Sequence, residues 1–244
     1  MDVQVVILAA GKGTRMGGEL PKVLVELKGK PLIQYLIDSV NNIQTDYKPI
    51  IVVGFKHEMV ESALGPNYIY VMQEEQLGTG HALAIALPKV EAENILVLYG
   101  DKPFTKTETL NGLINKHIEN KSMFSMLTMI APNFENEYAT FFSDGRIIRD
   151  TDGRIIDIRE INHASEQEKQ IMETNPGYYI FNRKWLENNI GLIKMNNVGE
   201  LYLTDLAGIA IKSGINILTT TSNPLEVYGI NTPQQLEQAD KFLV

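Results

Sequence analysis

Five residues near the start of the chain could bind phosphate: Gly11, Lys12, Gly13, Arg15 and Lys22. Glycine adopts backbone angles that are closed to other residues, so such a loop can turn its amide N–H groups toward an anion. The three basic residues supply positive charge for a triphosphate, and a metal ion would supply the remainder. The loop therefore predicts a nucleotide-phosphate site. The alternative is a glycine-rich turn whose basic side chains are only solvated.

Apolar runs and helical patterns alternate around this loop. Continuous apolar runs predict strands at residues 3–8, 50–53, 68–72, 94–99 and 122–130. Helical spacing of apolar residues between them predicts an α/β, Rossmann-like, doubly wound fold, with a mostly parallel sheet and helices on both faces. The phosphate loop directly follows the first strand. It would therefore lie at the carboxyl edge of the sheet, where such folds bind their ligands.

The pattern changes to short strands and turns after residue 132. The dipeptides Asp144-Gly145 and Asp152-Gly153 predict turns beside these strands. We interpret residues 132–177 as a β-rich insertion within a single domain that spans residues 1–244. Further strands are predicted at residues 23–27, 178–181, 215–220 and 227–230, and capping boxes predict helix starts at Thr105 and Thr232.

The composition excludes several classes of function. The formal net charge of -8 argues against nonspecific binding to nucleic acid, which requires a basic surface. The chain has no cysteine, so disulfides, thiolate catalysis and zinc–thiolate sites are excluded. The apolar run at residues 5–10 is too short for a membrane span or a secretion signal. We therefore expect a cytoplasmic protein with no nucleic-acid or membrane partner, and leave its oligomeric state open.

Several sequence blocks together resemble one known family. The first reads Leu-Ala-Ala-Gly-Lys-Gly-Thr-Arg-Met and is followed by Pro-Lys-Val-Leu; another reads Gln-Glu-Glu-Gln-Leu-Gly-Thr-Gly-His-Ala. The blocks lie at residues 8–16, 21–24, 73–82, 98–101, 200–205 and 226–231. In these blocks the chain resembles the sugar-nucleotide pyrophosphorylases, which have a GT-A-like nucleotidyltransferase fold. It is most similar to the uridyltransferase domain of GlmU-type N-acetylglucosamine-1-phosphate uridyltransferases.

The resemblance implies a role for each matching residue. Arg15 and Lys22 would act on the reacting phosphates as catalytic residues, and Asp101 and Asn231 would hold one Mg²⁺. The nucleotide would lie against Leu8, Ala9, Ala10, Gly11, Gln73, Gly78, Thr79, Tyr99 and Gly100. Within this set, the side chain at position 73 and the loop at 78–79 would recognise the uracil. The amino sugar or its phosphate would contact Gly145, Glu160, Asn175 and Thr204.

The implied reaction forms UDP-N-acetylglucosamine and pyrophosphate from UTP and N-acetylglucosamine 1-phosphate, as in nucleotide-sugar synthesis for the cell envelope. It needs no protein nucleophile, because a phosphate oxygen is already ionised at neutral pH. Catalysis is then positioning and charge neutralisation, and oxygen ligands such as Asp101 and Asn231 suit Mg²⁺.

The residues leave alternatives open. The substrate could be another sugar 1-phosphate or base, such as a hexose 1-phosphate with dTTP or UTP. A nucleotide-sensing module without turnover is a further alternative, although binding alone would not need both Asp101 and Asn231. Asp150 and Asp152 are a second candidate metal pair, but their hairpin position favours a turn. Asn231 could itself be a turn residue, and Glu160 a solvated carboxylate.

The chain departs from the family at two places. Ser143-Asp144-Gly145-Arg146 replaces the family's Gly-Tyr-Gly-Arg, so an acid stands where an aromatic residue neighbours the sugar. We expect Asp144 to point away from the sugar as the first residue of a turn. The chain also ends soon after the last predicted helix, so we expect no hexapeptide-repeat acetyltransferase domain, no acetyl-CoA chemistry and no trimer built by such repeats.

Overall fold

The structure, a computed structural model, describes residues 1–243. The strands are β1 (Val3–Leu8), β2 (Glu26–Leu27), β3 (Lys30–Pro31), β4 (Ile50–Val53), β5 (Ile69–Met72), β6 (Asn94–Tyr99), β7 (Phe124–Ile130), β8 (Gly145–Arg149), β9 (Ile155–Arg159), β10 (Glu173–Asn175), β11 (Tyr179–Asn182) and β12 (Leu218–Ser222). The α-helices are α1 (Leu32–Val40), α2 (His57–Leu64), α3 (Thr79–Ala86), α4 (Thr107–Glu119), α5 (Arg183–Asn189), α6 (Asp205–Lys212) and α7 (Pro233–Asp240).

Ten strands form one twisted sheet in the order β5-β4-β1-β6-β11-β7-β10-β8-β9, and β12 also pairs with β7. The first half is parallel, because β4 and β6 flank β1 in the same direction and β5 continues beyond β4. The second half is mixed: β11 runs antiparallel between β6 and β7, and β12 runs parallel to β7. The predicted α/β fold is confirmed, with a sheet that is mixed rather than mostly parallel.

Side chains of β1 show that both faces of the sheet are covered. Val5 and Ile7 pack into one hydrophobic cluster, whereas Val6 and Leu8 pack into another. Successive strand residues point to opposite faces, so a run of six buried residues is typical of a central parallel strand. Helices α1 and α4 contribute to the first cluster, and α3, α5 and α6 to the second. No helix in the described part of the chain is long and apolar enough to cross a membrane.

Two predicted strands are wrong. Residues 23–27 begin as a 3-10 turn over Lys22–Leu24, and only Glu26–Leu27 pairs as a strand. Residues 227–230 form no strand, because Val227 ends another 3-10 turn, Pro224–Val227, and residues 228–230 after it are irregular. Pro224 starts that turn, and Asn223 caps it by accepting a hydrogen bond from the amide of Leu225. Neither segment joins the main sheet, but each is next to the cleft described below: Lys22 and Val23 line it beside the first segment, and Asn231 lines it directly after the second.

Capping and turn predictions succeeded at two places and failed at two others. Thr232 caps α7 by accepting from the amide of Gln235, and Gly153 has the positive φ of 79° expected of a turn glycine. Thr105 does not cap α4; its hydroxyl is buried against the hydroxyl of Tyr178 and the carbonyl of Glu226. Gly145 is not a turn residue either, because it starts β8 and pairs with β10.

Residues 132–177 contribute β8, β9 and β10, which extend the main sheet beyond β7. Arg146 on β8 is completely buried and connects several segments of this region through hydrogen bonds. Its guanidinium donates to the carbonyls of Phe142 (3.1 Å) and Asp144, and its Nε donates to the carbonyl of Lys169 (3.4 Å). The ring of Phe134 lies 4.5 Å from the guanidinium carbon. A buried cation is tolerated here because carbonyl oxygens and aromatic faces replace its hydration.

Replacing Arg146 should therefore destabilise the protein. Arg146→Met removes the donors of three carbonyls, and we expect the free energy of unfolding to fall by about 2–4 kcal/mol. Chemical denaturation monitored by circular dichroism measures this change. Arg154→Met, at an exposed position in the same hairpin, is the control and should change stability by less than about 0.5 kcal/mol. Equal effects of the two substitutions would contradict the role given to Arg146.

Candidate active site

A cleft of about 450 Å³ lies at the carboxyl edge of the parallel strands. Its floor is the end of β1 and the residues after it, which are held by backbone hydrogen bonds: the amide of Ala9 donates to Val52 (2.8 Å), and that of Gly100 donates to Leu8 (3.0 Å). The start of α3 forms one wall. The residues lining the cleft are Leu8, Ala9, Ala10, Gly11, Arg15, Lys22, Val23, Gln73, Gln76, Gly78, Thr79, Ala82, Tyr99, Asp101, Glu200 and Asn231.

The cleft brings together both residues predicted to be catalytic, both predicted metal ligands and eight of the nine predicted nucleotide contacts. The exception is Gly100, which does not line the cleft. It supports the floor instead, since a Cβ there would lie 3.0 Å from Val23 and 3.5 Å from Ala9. Four further residues line the cleft without having been predicted individually: Val23, Gln76, Ala82 and Glu200. All four lie inside the matching blocks at 21–24, 73–82 and 200–205, so their block membership was the available signal.

The phosphate loop has the shape that its glycines allow. Gly13 has a φ of 66°, and a Cβ there would lie 2.8 Å from the Cβ of Lys22. Any other residue at position 13 would combine an unfavourable backbone conformation with a steric clash. This close approach brings the loop over the 3-10 turn that begins at Lys22 and turns the side chains of Lys22 and Arg15 to the same cleft.

The ammonium group of Lys22 lies between two distant residues. It donates to a carboxylate oxygen of Asp101 and to Oδ1 of Asn231 (2.9 Å), which also lies 3.4 Å from the guanidinium of Arg15. The amide of Ile230 donates to the carbonyl of Asp101 (3.0 Å) and joins the two segments. Burial would raise the pKa of Asp101, but the positive charges of Lys22 and Lys102 outweigh it and lower that pKa.

This arrangement suits a cation. A carboxylate oxygen and an amide oxygen converge on one positive charge, and hard oxygen ligands of this kind are those that Mg²⁺ takes in phosphate-transfer sites. Within residues 1–243, no cluster of three or more histidine, aspartate or glutamate side chains could form a cage for a metal ion. The rival pair belongs to a turn: Oδ1 of Asp150 accepts the amides of Asp152 (3.0 Å) and Arg154 (2.9 Å).

The other end of the cleft is built around Gln73, which is almost completely buried. Its amide nitrogen donates to the carbonyl of Gly78 (3.1 Å) and lies 3.1 Å from Nδ1 of His81. A carbonyl can only accept, so this contact fixes which end of the amide faces the protein. Gly78 has a φ of 93°, and a Cβ there would lie 2.6 Å from the carbonyl of Leu201. The backbone at 78–80 is therefore packed tightly against the segment at 200–205.

A second pocket of about 220 Å³ adjoins the first and shares Tyr99 and Asp101 with it. All four predicted sugar contacts line it: Gly145, Glu160, Asn175 and Thr204. Asn175 is held on both sides, because its nitrogen donates to the hydroxyl of Tyr179 (2.7 Å) and its oxygen accepts the amide of Gly177 (3.0 Å). Burial, followed by repulsion from Asp205, raises the pKa of Glu160.

Asp144 also lines this second pocket, so the expectation that it points away is wrong. The predicted turn does not form, because Gly145 belongs to the β8 ladder and Arg146 binds the carbonyl of Asp144. Burial raises the pKa of Asp144 to about 6, with a smaller contribution from Glu160, although Lys102 and Arg146 oppose these effects. The pocket thus contains a half-buried carboxylate that titrates close to neutral pH.

The fold and the cleft define the class of protein. Residues 5–146 match the family model described as "MobA-like NTP transferase domain". A putative glucose-1-phosphate thymidylyltransferase from Bacillus anthracis has a TM-score of 0.78 and 21% identity over 98% of this chain and 94% of its own. A CMP:2-keto-3-deoxy-manno-octonic acid synthetase has a TM-score of 0.70 and 20% identity over 99% of this chain and 98% of its own. These two structures show the same nucleotidyltransferase fold.

The chain belongs to the MobA-like NTP transferase domain family, as the match over residues 5–146 shows. It is also 41% identical to the "Bifunctional protein GlmU" of Carboxydothermus hydrogenoformans over 239 residues, which are 97% of this chain and 52% of that protein. The chain spans about half the length of the curated relatives that it matches. The sequence resemblance to sugar-nucleotide pyrophosphorylases of the GlmU type is thereby confirmed.

The titration of Asp144 predicts a pH-dependent stability. A pKa of about 6 exceeds that of an unfolded aspartate, near 4, so the folded protein binds this proton more tightly than the unfolded chain does. Stability should fall as pH rises from about 4 to about 6, and the charged carboxylate should remain unfavourable above that range. Asp144→Asn removes this charge and should have a higher Tm than the wild type at about pH 8.

That advantage should shrink as the pH falls toward about 4, where Asp144 is protonated in the wild type. Thermal unfolding across this pH range measures the difference. Asp152→Asn, on the exposed turn between β8 and β9, controls for the general loss of one negative charge. A Tm difference between Asp144→Asn and the wild type that is independent of pH would contradict the raised pKa.

Proposed function

We propose that this protein transfers UMP from UTP to N-acetylglucosamine 1-phosphate, giving UDP-N-acetylglucosamine and pyrophosphate. The observation that carries the proposal is the junction of the two pockets. Eight of the nine predicted nucleotide contacts line one pocket, the four predicted sugar contacts line the other, and Tyr99 and Asp101 line both. The similarity to proteins named "Bifunctional protein GlmU" supports this choice of substrates. Its nucleoside triphosphate substrate makes the cytoplasm the expected place of action, in nucleotide-sugar synthesis for the cell envelope.

The reaction is an in-line displacement at phosphorus. An ionised oxygen of the sugar phosphate attacks the α-phosphorus of UTP and forms a new P–O bond. The bond between the α-phosphorus and the bridging oxygen breaks, and pyrophosphate leaves with the electron pair. The protein supplies no nucleophile, so its contribution is to align the two substrates and to stabilise the negative charge.

Lys22 and Arg15 supply protein cations at the phosphate end of the cleft. Both side chains line the cleft, and both contact Asn231, so they lie near the proposed metal ligands. When bound to Asp101 and Asn231, Mg²⁺ would neutralise charge on the reacting phosphates. Lys22 donates to the same two oxygens, so it must share or exchange these contacts when the metal binds. Its released donors can then bind a phosphate oxygen.

The orientation of Gln73 supports a base with a donor at N3. The amide nitrogen of Gln73 is directed to Gly78 and His81, which leaves Oε1 as the end that can accept from a base. Uracil offers an N3–H donor, whereas cytosine offers an acceptor at that position. Thymine offers the same donor as uracil, so dTTP is the second candidate nucleotide. Asp144 in the sugar pocket, where the family has an aromatic residue, favours testing other sugars as well.

Pyrophosphate release across a grid of nucleoside triphosphates and sugar 1-phosphates, with Mg²⁺, tests the proposal. UTP with N-acetylglucosamine 1-phosphate should be the best pair. Its kcat/KM should exceed that with glucose 1-phosphate by at least about tenfold, because polar groups that bind the acetamido group would lose their partners.

Two results would contradict the proposal at different levels. A preference for a sugar without the acetamido group would overturn the substrate and leave the reaction class intact. Absence of pyrophosphate with every pair would overturn the enzymatic function and favour a nucleotide-sensing role. Reactions without the sugar phosphate are the control, since they measure any hydrolysis of the triphosphate.

A further inference from the structure

Lys102 differs from the other charged side chains that line the second pocket. The remaining charged side chains there are acidic: Asp101, Asp144 and Glu160. Among the described residues, Lys102 is the only lysine or arginine that lines this pocket. A sugar 1-phosphate is itself an anion. Asp101 is already paired with Lys22, but the carboxylates of Asp144 and Glu160 would repel the phosphate unless a cation met it. Lys102 is the residue placed to do so.

The ammonium group of Lys102 is held in a fixed position. It donates to the carbonyl of Pro176, and it lies 5.1 Å from the centre of the Tyr178 ring and 5.6 Å from that of Tyr99. Its stem passes over Gly229, where a Cβ would lie 3.6 Å from Cε of Lys102. A lysine restrained in this way has already lost much of its rotamer freedom, so it can bind an anion at a smaller entropic cost.

Lys102 also has donors to spare. An ammonium group carries three N–H donors, and the carbonyl of Pro176 uses one. Within residues 1–243, no carboxylate oxygen lies within 4.0 Å of Nζ of Lys102, although Asp101 is its neighbour in sequence and Asp144 lines the same pocket. Tyr99 lines both pockets, and its ring centre lies 5.6 Å from Nζ of Lys102, so the ammonium group lies near the boundary of the two pockets.

We propose that Lys102 binds the phosphate group of the sugar 1-phosphate acceptor. This inference rests on the proposed function, in which the second pocket receives the acceptor. The cations then serve different substrates, because Lys22 and Arg15 line the pocket of the triphosphate, whereas Lys102 lines that of the attacking phosphate. Lys102 would offset the repulsion of the acceptor by Asp144 and Glu160 and would direct the phosphate toward the junction of the two pockets.

Steady-state kinetics of Lys102→Met test the proposal. Methionine has a similar length and no charge, so the KM for N-acetylglucosamine 1-phosphate should rise by at least about tenfold, the effect of losing a charged hydrogen bond. The KM for UTP should stay unchanged. Lys102→Arg keeps the charge and should retain acceptor affinity between that of the wild type and that of Lys102→Met. Lys106→Met, whose exposed lysine lies in the same connection between β6 and α4, is the matched control and should behave like the wild type.

An unchanged acceptor KM in Lys102→Met would overturn the proposal. A rise in the KM values for both the acceptor and UTP, together with a lower Tm, would also overturn it. That pattern would indicate that Lys102 stabilises the segment at Pro176 and does not contact the phosphate. If Lys102→Met fails to fold, Lys102→Gln removes the same charge and keeps a polar side chain. An acceptor KM in Lys102→Gln that equals that of the wild type would overturn the proposal, and a rise of at least about tenfold would support it.

Calorimetry separates this inference from the proposed function. If the wild type releases no pyrophosphate with any substrate pair, the proposed function fails by itself. The role of Lys102 can then still be measured by binding. The protein is first saturated with a UTP analogue that has a methylene bridge between its α and β phosphates, and N-acetylglucosamine 1-phosphate is then titrated into it. Binding to the wild type that weakens at least about tenfold in Lys102→Met would support the phosphate contact, and equal binding to both would refute it.

Discussion

The contact of one ammonium group with two oxygens holds three segments of the candidate active site together. Lys22 follows the phosphate loop, Asp101 lies just after β6, and Asn231 precedes α7, yet the three side chains meet at one point. Asp101 is buried, and an unpaired carboxylate in that position would be costly. The close approach of Gly13 to Lys22 extends the same constraint to the loop. The phosphate loop, the end of β6 and the start of α7 therefore depend on a shared electrostatic centre.

The two pockets on either side of this centre differ in charge in a way that fits two anionic substrates. The first has Lys22 and Arg15 near its phosphate end, and the second has three carboxylates with Lys102 at the boundary. Carboxylates can accept hydrogen bonds from sugar hydroxyls, whereas phosphates need cations or a metal ion. The proposed order of groups across the cleft, from base to triphosphate to acceptor phosphate to sugar, follows this distribution of charge.

Much of this arrangement could be predicted from local sequence, and the rest depended on distant contacts. Apolar runs correctly predicted β1, β4 and β6, because buried parallel strands need continuous apolar residues. The blocks that match the family contain most of the residues that line the two adjoining pockets. The individual roles of these residues in binding and catalysis remain predictions. Asp144 and Lys102 could not be placed in this way. Asp144 faces the pocket because Arg146 and β10 fix its backbone, and Lys102 is positioned by Pro176 and Tyr178, far away in sequence.

The central claim is that Asp101, Asn231 and Lys22 form one shared centre that holds the metal ion. The Mg²⁺ dependence of pyrophosphate release in Asp101→Asn tests this claim most directly, because the substitution keeps the shape of the side chain and removes its charge. Asp46→Asn, at an exposed position before β4, controls for the loss of a carboxylate elsewhere. We predict that Asp101→Asn turns over at least about a hundredfold more slowly and needs far more Mg²⁺ for half-maximal activity. Turnover with the Mg²⁺ dependence of the wild type would show that the metal is held elsewhere and would contradict a shared centre at Asp101, Asn231 and Lys22.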